Sequence, residues 1–100
     1  MASKADRAPA MLDCGALSVA ISRKARNRLL VELHGELDVA SAGVLERKLY
    51  LPRRAKVDLD LSGVTLVDEA GMRVLLGIWG KRGGRAKVIA ASAAVEQRMG

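Results

Sequence analysis

One hundred residues are enough for one hydrophobic core and too few for two, so the chain is read as a single domain. Half of the residues are apolar and 28% are charged, an ordinary globular balance that excludes a disordered chain. The formal net charge is +6, but the cations are dispersed and Tyr50 and Trp79 are the only aromatic residues, so the sequence offers no stacking platform for single-stranded nucleic acid.

No run of about 20 apolar residues is present, which excludes a helical membrane span. Residues 1–12 read as a flexible N-terminal tail; the stretch Met1 to Ala10 carries Lys4, Asp6 and Arg7 and lacks the apolar centre of a secretory signal. The folded domain is expected over residues 13–100. A single cysteine, Cys14, can form no internal disulfide, which fits a reducing compartment such as the cytoplasm. Cys14 is expected to be a half-buried, unreactive thiol.

Leu17, Val19 and Ile21 alternate with small or polar residues, the period-2 signature of a half-buried strand. A polar turn from Arg23 to Arg28 leads to a second such strand at Leu29, Val31 and Leu33. The segment Ser41 to Leu51 spaces Ala42, Leu45 and Leu49 as the inner stripe of a helix, stopped by Pro52. Val57, Leu59 and Leu61 alternate with Asp58 and Asp60 in a third strand. Glu69 to Lys81 predicts a helix with Met72, Leu75, Leu76 and Trp79 inward, ended at Gly83 and Gly84. A fourth strand falls at Arg85 to Ala90. Ser92 then caps a last helix, Ala93 to Met99, with Val95 and Met99 inward.

The pattern is an α/β fold of order β-β-α-β-α-β-α. Its single mixed sheet has about four strands, a hairpin first and parallel crossovers after it. Alternation in the strands means that one sheet face stays wet, so the helices should pack on one face only.

Three segments resemble one family. Val31-Glu32-Leu33-His34-Gly35-Glu36-Leu37-Asp38 is similar to the strand and Gly-Glu-Leu-Asp signature of the STAS domain, the fold of bacterial anti-sigma factor antagonists. Val57 to Asp68, followed by Gly71 and Leu75, resembles its central strand, loop and helix start. Gly84, the strand after it and Ser92-Ala93-Ala94-Val95 resemble its last matching block. The resemblance runs from about residue 15 to the C-terminus.

It implies a protein that regulates transcription by binding and sequestering an anti-sigma factor that is also a serine kinase. Partner contacts are implied at Glu36, Asp38, Asp68, Glu69, Ala70, Gly71 and Arg73, in the Glu36–Asp38 loop and the helix that begins near Glu69. Family members of this type are switched off by phosphorylation of a serine or threonine at that helix start. Here the motif reads Asp68-Glu69-Ala70-Gly71, and Ala70 has no hydroxyl, so the family's switch cannot operate at this residue. Glu69 has two readings: a carboxylate that suits the helix dipole, which is favoured, or a fixed charge that imitates phosphate. Typical members also continue with a further strand and a final helix. Their absence here is expected to leave an edge or face that a homodimer or a partner could cover.

Other functions fit less well. One His and one Cys build neither a catalytic triad nor a zinc site, so no enzyme, cofactor or metal is expected. His34 falls mid-strand and reads as a sheet-face residue. Gly77, Gly80, Gly83 and Gly84 lie in or after a helix, the wrong context for a nucleotide loop. Two alternatives stand beside the antagonist: a STAS accessory subunit on the ATPase of a lipid-type membrane ABC transporter, and a basic nucleic-acid-binding domain.

Overall fold

The computed structural model describes residues 10–81 and 83–99. Its elements are β1 (Ala10–Asp13), β2 (Leu17–Ala25), β3 (Arg28–Leu37), α1 (Val39–Lys48), β4 (Lys56–Val67), α2 (Glu69–Gly80), a 3₁₀ turn (Gly83–Arg85), β5 (Ala86–Ala91) and α3 (Ala93–Met99). One five-stranded mixed sheet runs in the order β1-β2-β3-β4-β5. β1, β2 and β3 are antiparallel neighbours, whereas β3, β4 and β5 are parallel.

The α/β class, the single mixed sheet and the element order from β2 onward match the expectation. The sheet has one strand more than the four predicted. Residues 10–12, placed in the tail by sequence, belong to β1, which pairs with β2 from Ala10 opposite Ile21 to Asp13 opposite Ser18. Ala-Met-Leu-Asp is too short to declare a period by itself; pairing against the long β2 makes it a strand. Residues 1–9 of the predicted tail lie outside the described residues.

The alternation places Leu17, Val19, Val31, Leu33, Val57, Leu59 and Leu61 on one face, all buried. Ala42 and Leu45 of α1, Leu75 of α2 and Val95 of α3 join the same core. The other face carries Ser18, Ala20, Glu32, His34, Asp58 and Asp60, which are cross-strand neighbours. Here the Arg28 guanidinium donates to Asp58 at 2.8 Å.

Several boundaries and inner positions differ from the sequence reading. Helix α1 runs from Val39 to Lys48, not from Ser41 to Leu51: Asp38 caps its start four residues before Ala42 opens the apolar stripe, and Leu49, already extended, is its C-cap. Leu76 is 52% exposed and Met99 44% exposed, so neither faces inward as predicted. Leu75 takes the core position of α2, with Val74 and Ile78 packed at its sides. β4 runs through Val67, and what reads as a loop after Leu61 is strand. Two one-residue bulges cause this: Glu32 and His34 oppose Asp60 and Gly63, and Gly35 and Glu36 oppose Val64 and Leu66. Each bulge slips the alternation by one, so Leu61, Val64 and Val67 all turn inward.

Candidate functional site

The C-terminal ends of β3 and β4 are neighbours, and each feeds directly into a helix. Asp38 is the N-cap of α1. Its Oδ1 accepts from the Ser41 N–H at 2.9 Å, while the Asp38 N–H donates to the Ser41 hydroxyl at 2.9 Å, a reciprocal capping box. The Ser41 hydroxyl also donates to the Glu36 carbonyl at 2.7 Å. These bonds, with the Ser41 N–H foremost and its hydroxyl next, hold the Asp38 carboxyl below its ordinary pKa of 3.8.

Asp68 does more than cap one helix. Its Oδ1 accepts from the Gly71 N–H at 2.8 Å and so caps α2. Its Oδ2 accepts from the Val39 N–H at 3.0 Å, the first residue of α1. One carboxylate therefore satisfies unpaired donors of two helices, which four open N–H groups at each helix start make available. The Asp68 N–H donates to the Leu37 carbonyl at 3.2 Å. Gly71 seats on that same carbonyl: an added Cβ would lie 2.2 Å from the Leu37 oxygen.

Glycine is equally required at the other signature position. Gly35 has φ +110°, and a Cβ there would lie 2.2 Å from the Ala16 carbonyl oxygen. That carbonyl accepts from the Glu36 N–H at 2.9 Å, tying the entry of β2 to the end of β3.

All seven predicted site residues thus gather at one rim. Glu36 is not in a loop, as the sequence suggested, but is the exposed penultimate residue of β3. The bulge beside it keeps the backbone paired to β4 up to Leu37. Glu69 and Arg73 are largely exposed and face one another across one turn at 3.9 Å, a separation that contributes little in water. Ala70 is half-buried and Gly71 buried. Two exposed apolar residues that the sequence reading passed over flank these acids: Val39, 71% exposed, and Leu66, 44% exposed and the register partner of Glu36. The signal for Val39 was available, a β-branched residue directly after a capping aspartate.

Between α1 and α2, below the rim, lies an open groove of about 1050 Å³. Val39, Ala70 and Arg73 line its upper end, so groove and rim are continuous.

Neither of the remaining reactive side chains joins the rim. Cys14 is fully buried, deeper than expected, and burial pushes its thiol pKa up. His34 is exposed on the open sheet face, its ring against Gly63. Nearby Asp60 is held below the usual carboxylate range by the Ser62 hydroxyl first and the Ser62 N–H second. Among the described residues no three His, Cys, Asp or Glu side chains are grouped to hold a metal ion. No helix among them is long and apolar enough to cross a membrane.

A family model described as "Mlab, STAS domain" matches residues 21–99. Among solved structures, the chain is similar to an anti-sigma factor antagonist from Mycobacterium paratuberculosis, at 19% identity over 90% of this chain and 80% of that one, with a TM-score of 0.69. It is also similar to an antisigma-factor antagonist STAS domain from Rhodobacter sphaeroides, at 19% identity over 79% and 89%, with a TM-score of 0.63. At that identity the likeness is one of fold. No curated protein matches the sequence.

Proposed function

The chain belongs to the STAS domain family, and from that premise we propose that it is a cytoplasmic protein-binding regulator of the anti-sigma factor antagonist type, which docks on an anti-sigma factor and catalyses no reaction. The docking surface is the rim formed by Glu36, Asp38, Asp68, Glu69, Ala70, Gly71 and Arg73. The observation that carries this reading is the bond pattern of Asp68, which holds two helix starts in fixed relation and leaves Glu36, Glu69, Val39 and Leu66 exposed around them. Apolar residues ringed by charges on a preorganised surface suit recognition of another protein.

The rim carries no hydroxyl at residue 70, so the protein stays in the binding-competent form when the kinase is active. Glu69 acts on the helix dipole in the manner of a first-turn carboxylate and not as an imitation of phosphate.

The test is incubation with the cognate anti-sigma kinase and ATP. Intact mass is expected to show no phosphoryl group, and the complex is expected to persist, while Ala70→Ser becomes a phosphoacceptor. Leu66→Asp and Glu69→Arg should each weaken the complex. Stoichiometric phosphate within residues 62–71, or a complex indifferent to both rim variants, would refute the proposal.

A second reading is an accessory STAS subunit on the ATPase of a membrane transporter. The matching family model, "Mlab, STAS domain", is a match to the STAS domain as such, which fits this reading as well as the first. A stable complex with such an ATPase, and none with an anti-sigma kinase, decides for it.

A further inference from the structure

The groove between α1 and α2 differs in character from the rim above it. Ala42, Leu49, Val74 and Ile78 give it apolar walls, and Gly43 and Gly77 keep those walls low. At the end away from the rim it is lined by Arg53, Arg54, Lys81 and Arg85, with Tyr50 beside them 81% exposed. Arg73 adds a cation at the upper end, and Glu46 is the one acid among the described lining residues. The groove is therefore an apolar trough with a basic end, on a chain that already carries a net charge of +6.

Its walls are helices of 10 and 12 residues, which makes it about 15–18 Å long. Both walls have satisfied their backbone groups internally, so no edge is offered to an added strand. An extended segment would leave its own N–H and C=O groups unpaired against apolar side chains, whereas a helix brings them already paired. Duplex phosphates have no apolar surface to set against Leu49, Val74 and Ile78. A planar bilayer cannot follow a trough between two helices.

We propose that this groove seats a short amphipathic helix of the partner protein, with an apolar stripe on Val74 and Ile78 and Asp or Glu side chains toward Arg54 and Lys81. The proposal rests on the reading of the protein as a docking module and names the chemistry of what docks. Exposed Tyr50 supplies an aromatic anchor at the basic end, one of the residue types enriched among energetically dominant contacts.

The experiment uses the full chain and a displayed library of helical peptides with apolar residues fixed at i, i+4 and i+7 and the remaining positions randomised. Selected binders are expected to be enriched in Asp and Glu. Bound peptide should shift the amide signals of Val74, Gly77, Ile78 and Lys81. Gly77→Leu fills the trough from a position where a Cβ meets nothing within 4 Å, so the fold is kept while peptide affinity falls about tenfold or more. Lys81→Gln removes the cation at the C-cap of α2 without placing an acid there, and should also lower peptide affinity while changing thermal stability little. Lys24→Glu, on the exposed end of β2 and away from the groove, should leave peptide binding intact.

A library that yields no binder, binders without acidic residues, or affinity unchanged in Gly77→Leu each overturn the proposal. So does binding of anionic vesicles or duplex DNA that is sensitive to Gly77→Leu in place of peptide binding. Capture of the protein partner that responds to Leu66→Asp and Glu69→Arg but not to Gly77→Leu removes the groove from the interface and leaves the docking function standing.

Discussion

Two glycines of α2 separate cleanly in what they do. At Gly71 an added Cβ would meet the Leu37 carbonyl oxygen at 2.2 Å and the Leu37 Cγ at 2.8 Å. The oxygen is backbone, pinned by the Asp68 N–H, and cannot swing away. Gly71→Ala is therefore expected to lose about 1–3 kcal/mol, the usual cost of forcing extra volume into a packed site. At Gly77 nothing lies within 4 Å of the added Cβ. Gly77→Ala should gain about 0.5–1 kcal/mol through helix propensity alone. Urea denaturation of the two variants should move in opposite directions, and equal shifts would sink this account of the rim. The sequence names Gly71 only through a family motif, because the carbonyl that demands it belongs to Leu37, 34 positions earlier. Ala70 is different: its missing hydroxyl is legible from the letter itself.

Among the elements, what could be read depended on whether the cause was local. The period of β2 and of the first half of β3 is stated by Leu17, Val19, Val31 and Leu33 in their own sequence. The second half of β4 is not, since Val64 and Val67 turn inward through bulges that only pairing with β3 creates. β1 likewise becomes a strand only through its pairing with β2. The start of α1 could have been read, because Asp38-Val39-Ala40-Ser41 is a capping sequence in which serine takes the place of the more usual Glu or Gln.

That cap gives the helix a pH dependence. The folded-state pKa of Asp38 lies below its unfolded value, so its contribution is complete above the unfolded pKa of about 3.9 and is lost as pH falls through the folded one. Asp60 adds a contribution of the same sign. Stability should hold from neutrality to about pH 5 and then decline on acidification. Asp38→Asn keeps a side-chain oxygen for the cap and should change neutral stability little, while flattening part of the acid decline. A profile as steep as that of the parent would contradict the assignment.

At the scale of the molecule, the sheet is far from uniform. β3 is paired along both sides, and β4 has β3 on one side and β5 on the other. Val31, Leu33, Leu59 and Leu61, at most 1% exposed, stack between them. β1 is four residues long, pairs on one side only and is mostly exposed; α3 has seven residues and one buried side chain. Local opening follows buried contact and pairing, so native-state hydrogen exchange should be slowest at the amides of Val31, Leu33, Leu59 and Leu61, and β1 and α3 should exchange through smaller openings. Exchange at Met11 or Leu12 as slow as at Leu59 would show that the edge strand is part of the central cooperative unit. The rim grows from the C-terminal ends of the two best-supported strands, and Asp68 fixes both helix starts to it. A partner would then meet a surface already ordered before contact. Little ordering entropy remains to be lost there, which favours binding without any covalent switch to prepare it.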